Sequence, residues 1–171
     1  MNLSRNVRHK IFSKEAVIPI ILITAIFVFD RLSKIWIINH QEENSAIFIN
    51  KFLNFELVWN TGIGFGLFST DPNLFYNLTS LFIFLVVLFL CYLISRSNFF
   101  DKICFSIVLG GAIGNLYDRL VYFAVPDFID FHIGDFHWFT FNIADIFITI
   151  GVICLIYDEI FLEKKENEQN K

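Results

Sequence analysis

The sequence has little that a metalloenzyme or thiol enzyme would use. It contains three cysteines, Cys91, Cys104 and Cys154, each inside an apolar run and none at metal-ligand spacing. They read as buried apolar thiols. No His-Glu-x-x-His occurs, and no serine stands in a nucleophile elbow. Basic and aromatic residues are nowhere interleaved as a nucleic-acid surface requires, so no nucleic acid is expected as a partner. Internal repeats are absent too. His132 and His137, with Asp127, Asp130 and Asp135, do offer nitrogen and oxygen ligands. Their spacing fits no established pattern, and aromatic-flanked histidines in an interfacial loop are the favoured reading. No metal or organic cofactor is expected.

What the chain has in excess is apolar surface. Of its 171 residues 56% are hydrophobic, 23 of them Phe, and the mean hydropathy is +0.59. A water-soluble domain of this size could not hide so much, which points to a membrane protein. Four segments have the ~20 residues that a ~30 Å hydrocarbon core requires: about 16–38, 73–95, 103–123 and 139–161. The basic residues Arg5, Arg8, Lys10 and Lys14 before the first imitate a signal peptide. That run leads into Asp30-Arg31 with no small-residue cleavage site, so it reads as a retained helix. The second span, "NLFYNLTSLFIFLVVLFLCYLIS", carries no charge and reads as a scaffold helix facing lipid. Its Asn77-Leu78-Thr79 sequon falls at a helix end and reads as chance.

Orientation follows from Lys and Arg. Nine lie in the N-terminal tail, the second-to-third loop and the C-terminal tail, against one, Lys51, in the loops 39–72 and 124–138. Both termini are therefore expected in the cytoplasm. The 39–72 stretch is too long for a simple connection. Its "AIFINKFLNFELVWN" is β-branched and aromatic, followed by the turn residues of "NTGIGFG". A small β-rich element on the outer surface is expected there. The fold expected is a single mainly α membrane domain over residues 1–171, with four transmembrane helices, an outer β-element between the first two, and a solvated "EKKENEQNK" tail.

The polar residues share a depth. Asp30 and Lys34 fall late in the outward-running first span, and Asn115, Asp118 and Arg119 late in the third. Asn142 and Asp145 fall early in the fourth, with Asp145 about six residues, or ~9 Å, inside it. Asp127 lies just beyond the third. Intramembrane ionisable groups are functional candidates. Asp30 and Lys34, four apart, can pair on one helical face, whereas the adjacent Asp118 and Arg119 each need a partner from another segment. Structural support is the favoured role for these four. Asp127 and Asp145 then lack cations, and two carboxylates sharing a site cannot both ionise easily, which supplies a general base and a general acid. From the residues alone, the choice among Asp127, Asp130 and Asp135 stays open.

"FDRLSK", "WNTGIGFGLFS", "GGAIGNLYDRL", "VPDFIDF" and "FNIADIFITIG" follow one another across the four spans. Together they resemble the bacterial lipoprotein signal peptidase (signal peptidase II) family over roughly residues 16–155. That resemblance implies an intramembrane aspartic endopeptidase of the bacterial inner membrane. It would cleave signal peptides from prolipoproteins before a diacylglyceryl-modified cysteine, and globomycin-type cyclic peptides would block it. It implies Asp127 and Asp145 as the catalytic pair. Asp30, Lys34, Asn60, Asn115, Asp118, Arg119 and Asn142 would form the polar surround that shapes the site and holds substrate or inhibitor. Membrane lipid is an expected partner, and a monomer is expected. Two departures from the family pattern are Pro126, where an aliphatic residue is usual, and Gly64, where Ala is common. The competing reading is a small proton-coupled transporter or channel subunit using the same acids as relays. That would need polar groups through the whole membrane depth, and the inner two-thirds is almost wholly apolar.

Overall fold

The computed structural model describes residues 14–41, 45–62 and 72–162. The basic N-terminal tail, most of "NTGIGFGLFS" with Gly64, and the charged C-terminal tail lie outside the described residues. Four helices and four strands run in the order α1 (Lys14–His40), β1 (Ile47–Asn50), β2 (Leu53–Asn60), α2 (Pro72–Arg96), α3 (Phe99–Tyr122), β3 (Val125–Ile133), β4 (Phe136–Phe141) and α4 (Ile143–Tyr157). A π-helical turn, Asp158–Leu162, continues α4.

The helix ends follow their capping chemistry. α2 begins on a proline, whose missing N–H costs nothing in the first turn. The Asn98 side chain caps α3 by accepting from Asp101 N at 3.0 Å. Among the described residues, three helical stretches are long and apolar enough to cross a membrane: Glu15–His40, Tyr76–Arg96 and Phe99–Tyr122. α2 leaves Leu81, Phe82, Leu85, Leu88 and Phe89 exposed.

Two expectations need correcting. The segment 124–138 is not a loop, because β3 and β4 form a hairpin there and complete an antiparallel sheet in the order β1-β2-β3-β4. The β-rich element is thus assembled from two parts of the chain, with the paired positions of its inner strands running from Asn60↔Val125 to Leu53↔Phe131. The fourth helix also begins at Ile143 and not near 139, since residues 139–141 finish β4. Aromatic alternation in "FHWFTF" supports a strand as well as an apolar span, and cross-strand pairing with β3 decides it.

Two apolar clusters hold these layers. Val87 and Leu90 of α2 pack with Val108, Leu109, Ala112 and Leu116 of α3. Beneath the sheet, Ile37 of α1 meets Phe128 and Ile129 of β3, flanked by Leu53, Phe55, Phe141 and Ile146. Between the clusters α3 meets both α1 and α4 through "GGAIG". A Cβ on Gly111 would lie 2.5 Å from the Ala144 carbonyl oxygen, and one on Gly114 would lie 2.6 Å from Asp30 Oδ2. Small residues allow this approach, as in other membrane helix packings. They also bring the polar end of α1 against the start of α4.

Candidate active site

α1, α3, β2, β3 and the start of α4 each contribute to one polar cluster. Its first part is a closed ionic network. Lys34 Nζ donates to Asp30 Oδ2 at 2.8 Å, Asn115 Oδ1 at 2.9 Å and Asp118 Oδ2 at 2.7 Å. All three ammonium protons are used, and Lys34, Asp30 and Asp118 are fully buried. The other Asp118 oxygen pairs with Arg31, whose guanidinium stacks over Tyr117 at 4.9 Å. The other Asp30 oxygen accepts from Ala144 N at 2.9 Å, tying α1 to the first turn of α4.

The second part holds Asp127 and Asp145, and its donors are amides. Asp127 Oδ2 accepts from Asn60 Nδ2 at 2.9 Å and Oδ1 from Asn142 Nδ2 at 2.5 Å. Asp145 Oδ1 accepts from Asn115 Nδ2 at 2.8 Å and Oδ2 from the Asn142 backbone N at 3.1 Å. Asn142 caps α4, and its Oδ1 accepts from Asp145 N at 3.1 Å, which completes a capping box. One asparagine therefore bridges both acids. Asp145 sits in the first turn of α4, not deep within a span, where a carboxylate suits the exposed N–H groups and the helix dipole. Burial pushes the Asp127 carboxyl up to about 6; the two asparagine bonds oppose this and the charge of Asp145 adds to it.

Arg119 is the remaining cation. It is buried, and its Nε and Nη1 have no hydrogen-bond partner among the described residues. Its guanidinium lies over the Tyr76 ring at 5.9 Å and against Gly62, where a Cβ would come within 3.0 Å of Nη1. Gly62 has φ +83°, so both its conformation and its neighbour favour glycine. The Tyr76 hydroxyl donates to the Arg119 carbonyl.

The structure thus brings together Asp30, Lys34, Asn60, Asn115, Asp118, Arg119, Asp127, Asn142 and Asp145. Asp130 and Asp135 stay apart: Asp130 meets His132 and His137, and Asp135 is exposed in the hairpin turn. Asp30 pairs with Lys34 as the four-residue spacing suggested. Asp118 finds its partners on α1, where Lys34 and Arg31 each take one of its oxygens. Sequence reasoning missed Arg31 and the glycines of α3. Arg31 follows Asp30 directly, and nothing local shows that it faces a carboxylate 87 positions later. A groove of about 250 Å³ opens beside Asp145, lined by Phe139, Phe141, Ile146, Thr149 and Ile150.

The chain as a whole is similar to known proteins. Residues 22–161 match the family model described as signal peptidase (SPase) II. The chain is 46% identical over 165 residues to a lipoprotein signal peptidase of Pelagibacter ubique, covering 95% of this chain and 99% of that one. It is 40% identical over 154 residues to a lipoprotein signal peptidase of Anaplasma marginale, covering 89% of each. A solved bacterial membrane enzyme superposes with a TM-score of 0.71 at 28% identity, covering 90% of this chain and 92% of the other.

Proposed function

The chain belongs to the signal peptidase II family, and from that premise we propose how its residues carry out the cleavage of a prolipoprotein. The observation that carries the reading is the Asn142 bridge, which holds Asp127 and Asp145 side by side without neutralising either. Asp127, with its raised affinity for a proton, is the general acid. Asp145 is the general base. Asp145 takes a proton from water, whose oxygen attacks the scissile carbonyl carbon. Asp127 gives its proton to the carbonyl oxygen, forming a neutral gem-diol. Collapse re-forms the C=O as one gem-diol hydroxyl returns its proton to Asp127, and breaks the C–N bond as the proton held by Asp145 passes to the leaving amine of the lipidated cysteine.

Asn60, Asn115 and Asn142 hold the two carboxylates in place. Asp30, Lys34 and Asp118 fix the helices that present them. The unpartnered N–H groups of Arg119 suit a substrate carbonyl. The apolar groove beside Asp145 suits the extended, lipid-embedded substrate, which a cyclic peptide such as globomycin would displace. In this reading α4 with its π-helical turn is the fourth crossing, and the excess of Lys and Arg on one side supports a bacterial inner-membrane protein with both termini in the cytoplasm.

The test is direct. Purified protein is incubated with a diacylglyceryl-modified prolipoprotein, with and without globomycin. Signal-peptide release blocked by globomycin is expected, and equal release from an unlipidated prolipoprotein would overturn the substrate assignment.

A further inference from the structure

The turn end of the β3–β4 hairpin holds a second cluster that the peptidase chemistry does not use. Asp130 and His132 lie on β3 and His137 lies opposite His132 on β4. His137 Nδ1 is 2.8 Å from Asp130 Oδ2, and His132 Nδ1 is 3.3 Å from the same oxygen. The two imidazoles lie nearly parallel, 25° apart with centroids at 5.2 Å. Ligand atoms of the three residues all lie within 4.8 Å of one another.

Two features make this more than a hydrogen-bonded triad. Asp130 is 2% exposed, and among the described residues its ion-pair partners are these two histidines, with no Lys or Arg. A carboxylate so buried is costly without a full compensating charge. His132 is also buried, at 7% exposure, and its Nδ1 has no hydrogen-bond partner among the described residues. The orientation of that ring leaves a lone pair or a proton unused beside a carboxylate. A cation placed among the three atoms would answer both deficits.

We propose that Asp130, His132 and His137 bind a divalent first-row transition metal, Zn²⁺ foremost, which staples the β3–β4 hairpin. Two imidazole nitrogens and one carboxylate oxygen suit that class, and not Mg²⁺ or Ca²⁺, which prefer all-oxygen shells. Tetrahedral ligands at ~2.0–2.1 Å stand about 3.3 Å apart, against 2.8 and 3.3 Å from Asp130 to the two histidines and no more than 4.8 Å between any two of the three ligand atoms, a spacing that rotation of the His137 ring adjusts. The His137 side chain is half exposed and gives the ion its way in. Water completes the shell. Asn54, directly across from Asp130 on β2, carries a buried Oδ1 with no described partner, an acceptor suited to that water. The metal takes no part in peptide cleavage, because the carboxyl of Asp127 is engaged by Asn60 and Asn142 instead. Its role is to hold the strand that carries Asp127.

Full-length protein in detergent, stripped with a chelator and dialysed, is titrated with ZnCl₂ by calorimetry, and with Co²⁺ by its visible d–d absorption. One ion per chain and a thermal midpoint raised by about 5–10 °C at a hundredfold excess over Kd are expected. His137→Gln is half exposed and should fold normally. It should weaken binding at least tenfold, and the double variant His132→Gln/His137→Gln should abolish it. Asp127→Asn should bind as the unaltered protein does. Failure of Zn²⁺ to bind would overturn the proposal, as would binding that survives the double variant or a MgCl₂ response equal to that of ZnCl₂. Cleavage assays do not enter the readout, so the result stands apart from the peptidase assignment.

Discussion

Two groups of carboxylates lie within one polar cluster and are held in opposite ways. Asp30 and Asp118 meet Lys34 and Arg31, with full charges on both sides. Asp127 and Asp145 meet Asn60, Asn115 and Asn142, which offer neutral amides. A carboxylate paired with a cation has an oxygen committed to that ion pair. A carboxylate fixed by amides is held in position with no Lys or Arg at ion-pair distance among the described residues. The same residue type is thus structural in one half and proposed as reactive in the other. Asn115 joins the halves, accepting from Lys34 and donating to Asp145.

The largest expected effect separates the groups by activity. Asp127→Asn and Asp145→Asn should each lower cleavage of a lipidated prolipoprotein by about 10²–10⁴-fold or more, with insertion and folding retained. Near-normal cleavage by either variant would remove the distinction. Next comes stability on the other side of the comparison. Lys34→Met leaves buried Asp30 without its ion-pair partner and Asp118 with Arg31 alone, and should cost about 3–5 kcal/mol, read as lost thermal stability in detergent. Asp118→Asn, which keeps one acceptor oxygen for either Lys34 or Arg31, should cost less. A thermal midpoint for Lys34→Met equal to that of the unaltered protein would show the network to be idle.

A pH series sharpens the contrast further. Asp127 holds its proton up to about pH 6 when folded, against an ordinary value of 3.8. The folded state therefore binds the extra proton, and this contribution is full below about pH 4 and lost as pH rises through about 6. The difference corresponds to about 3 kcal/mol. Thermal midpoints of the unaltered protein should fall more steeply from pH 4 to 7 than those of Asp127→Asn. Parallel curves would contradict the raised value. The smallest effect is expected at the exposed hairpin acid: Asp135→Asn should leave the cleavage rate within about twofold, as surface changes away from a site usually do.

Much of the helical architecture was legible in the chain. α2 has a mean hydropathy of 2.6 with 11% of its span buried, and α3 has 1.4 with 50% buried. That gap follows from charge-free "LFIFLVVLFL" in one and "GGAIGNLYDRL" in the other. Local composition reports lipid exposure because each side chain meets either hydrocarbon or protein. The Asp30–Lys34 pair was legible for a related reason, since four-residue spacing is itself a contact.

Partnerships between distant segments were not legible. Arg31 and Asp118, Asn60 and Asp127, and Lys34 and Asn115 each lie on different elements. The helix-to-helix pairs depend on how closely α3 approaches α1 and α4 through Gly111 and Gly114, and Asn60–Asp127 on the register of β2 against β3. The hairpin was missed because "FHWFTFNIADIF" is apolar enough for a span, and only pairing with β3 makes its first half a strand. That boundary then decided the setting of Asp145. The sequence by itself determined an apolar helical chain with polar groups at one depth, because hydrophobicity and helical spacing are local properties. Tertiary structure alone decided which acids meet cations and which meet amides, because a hydrogen bond between elements exists only once their backbones are fixed a few ångströms apart.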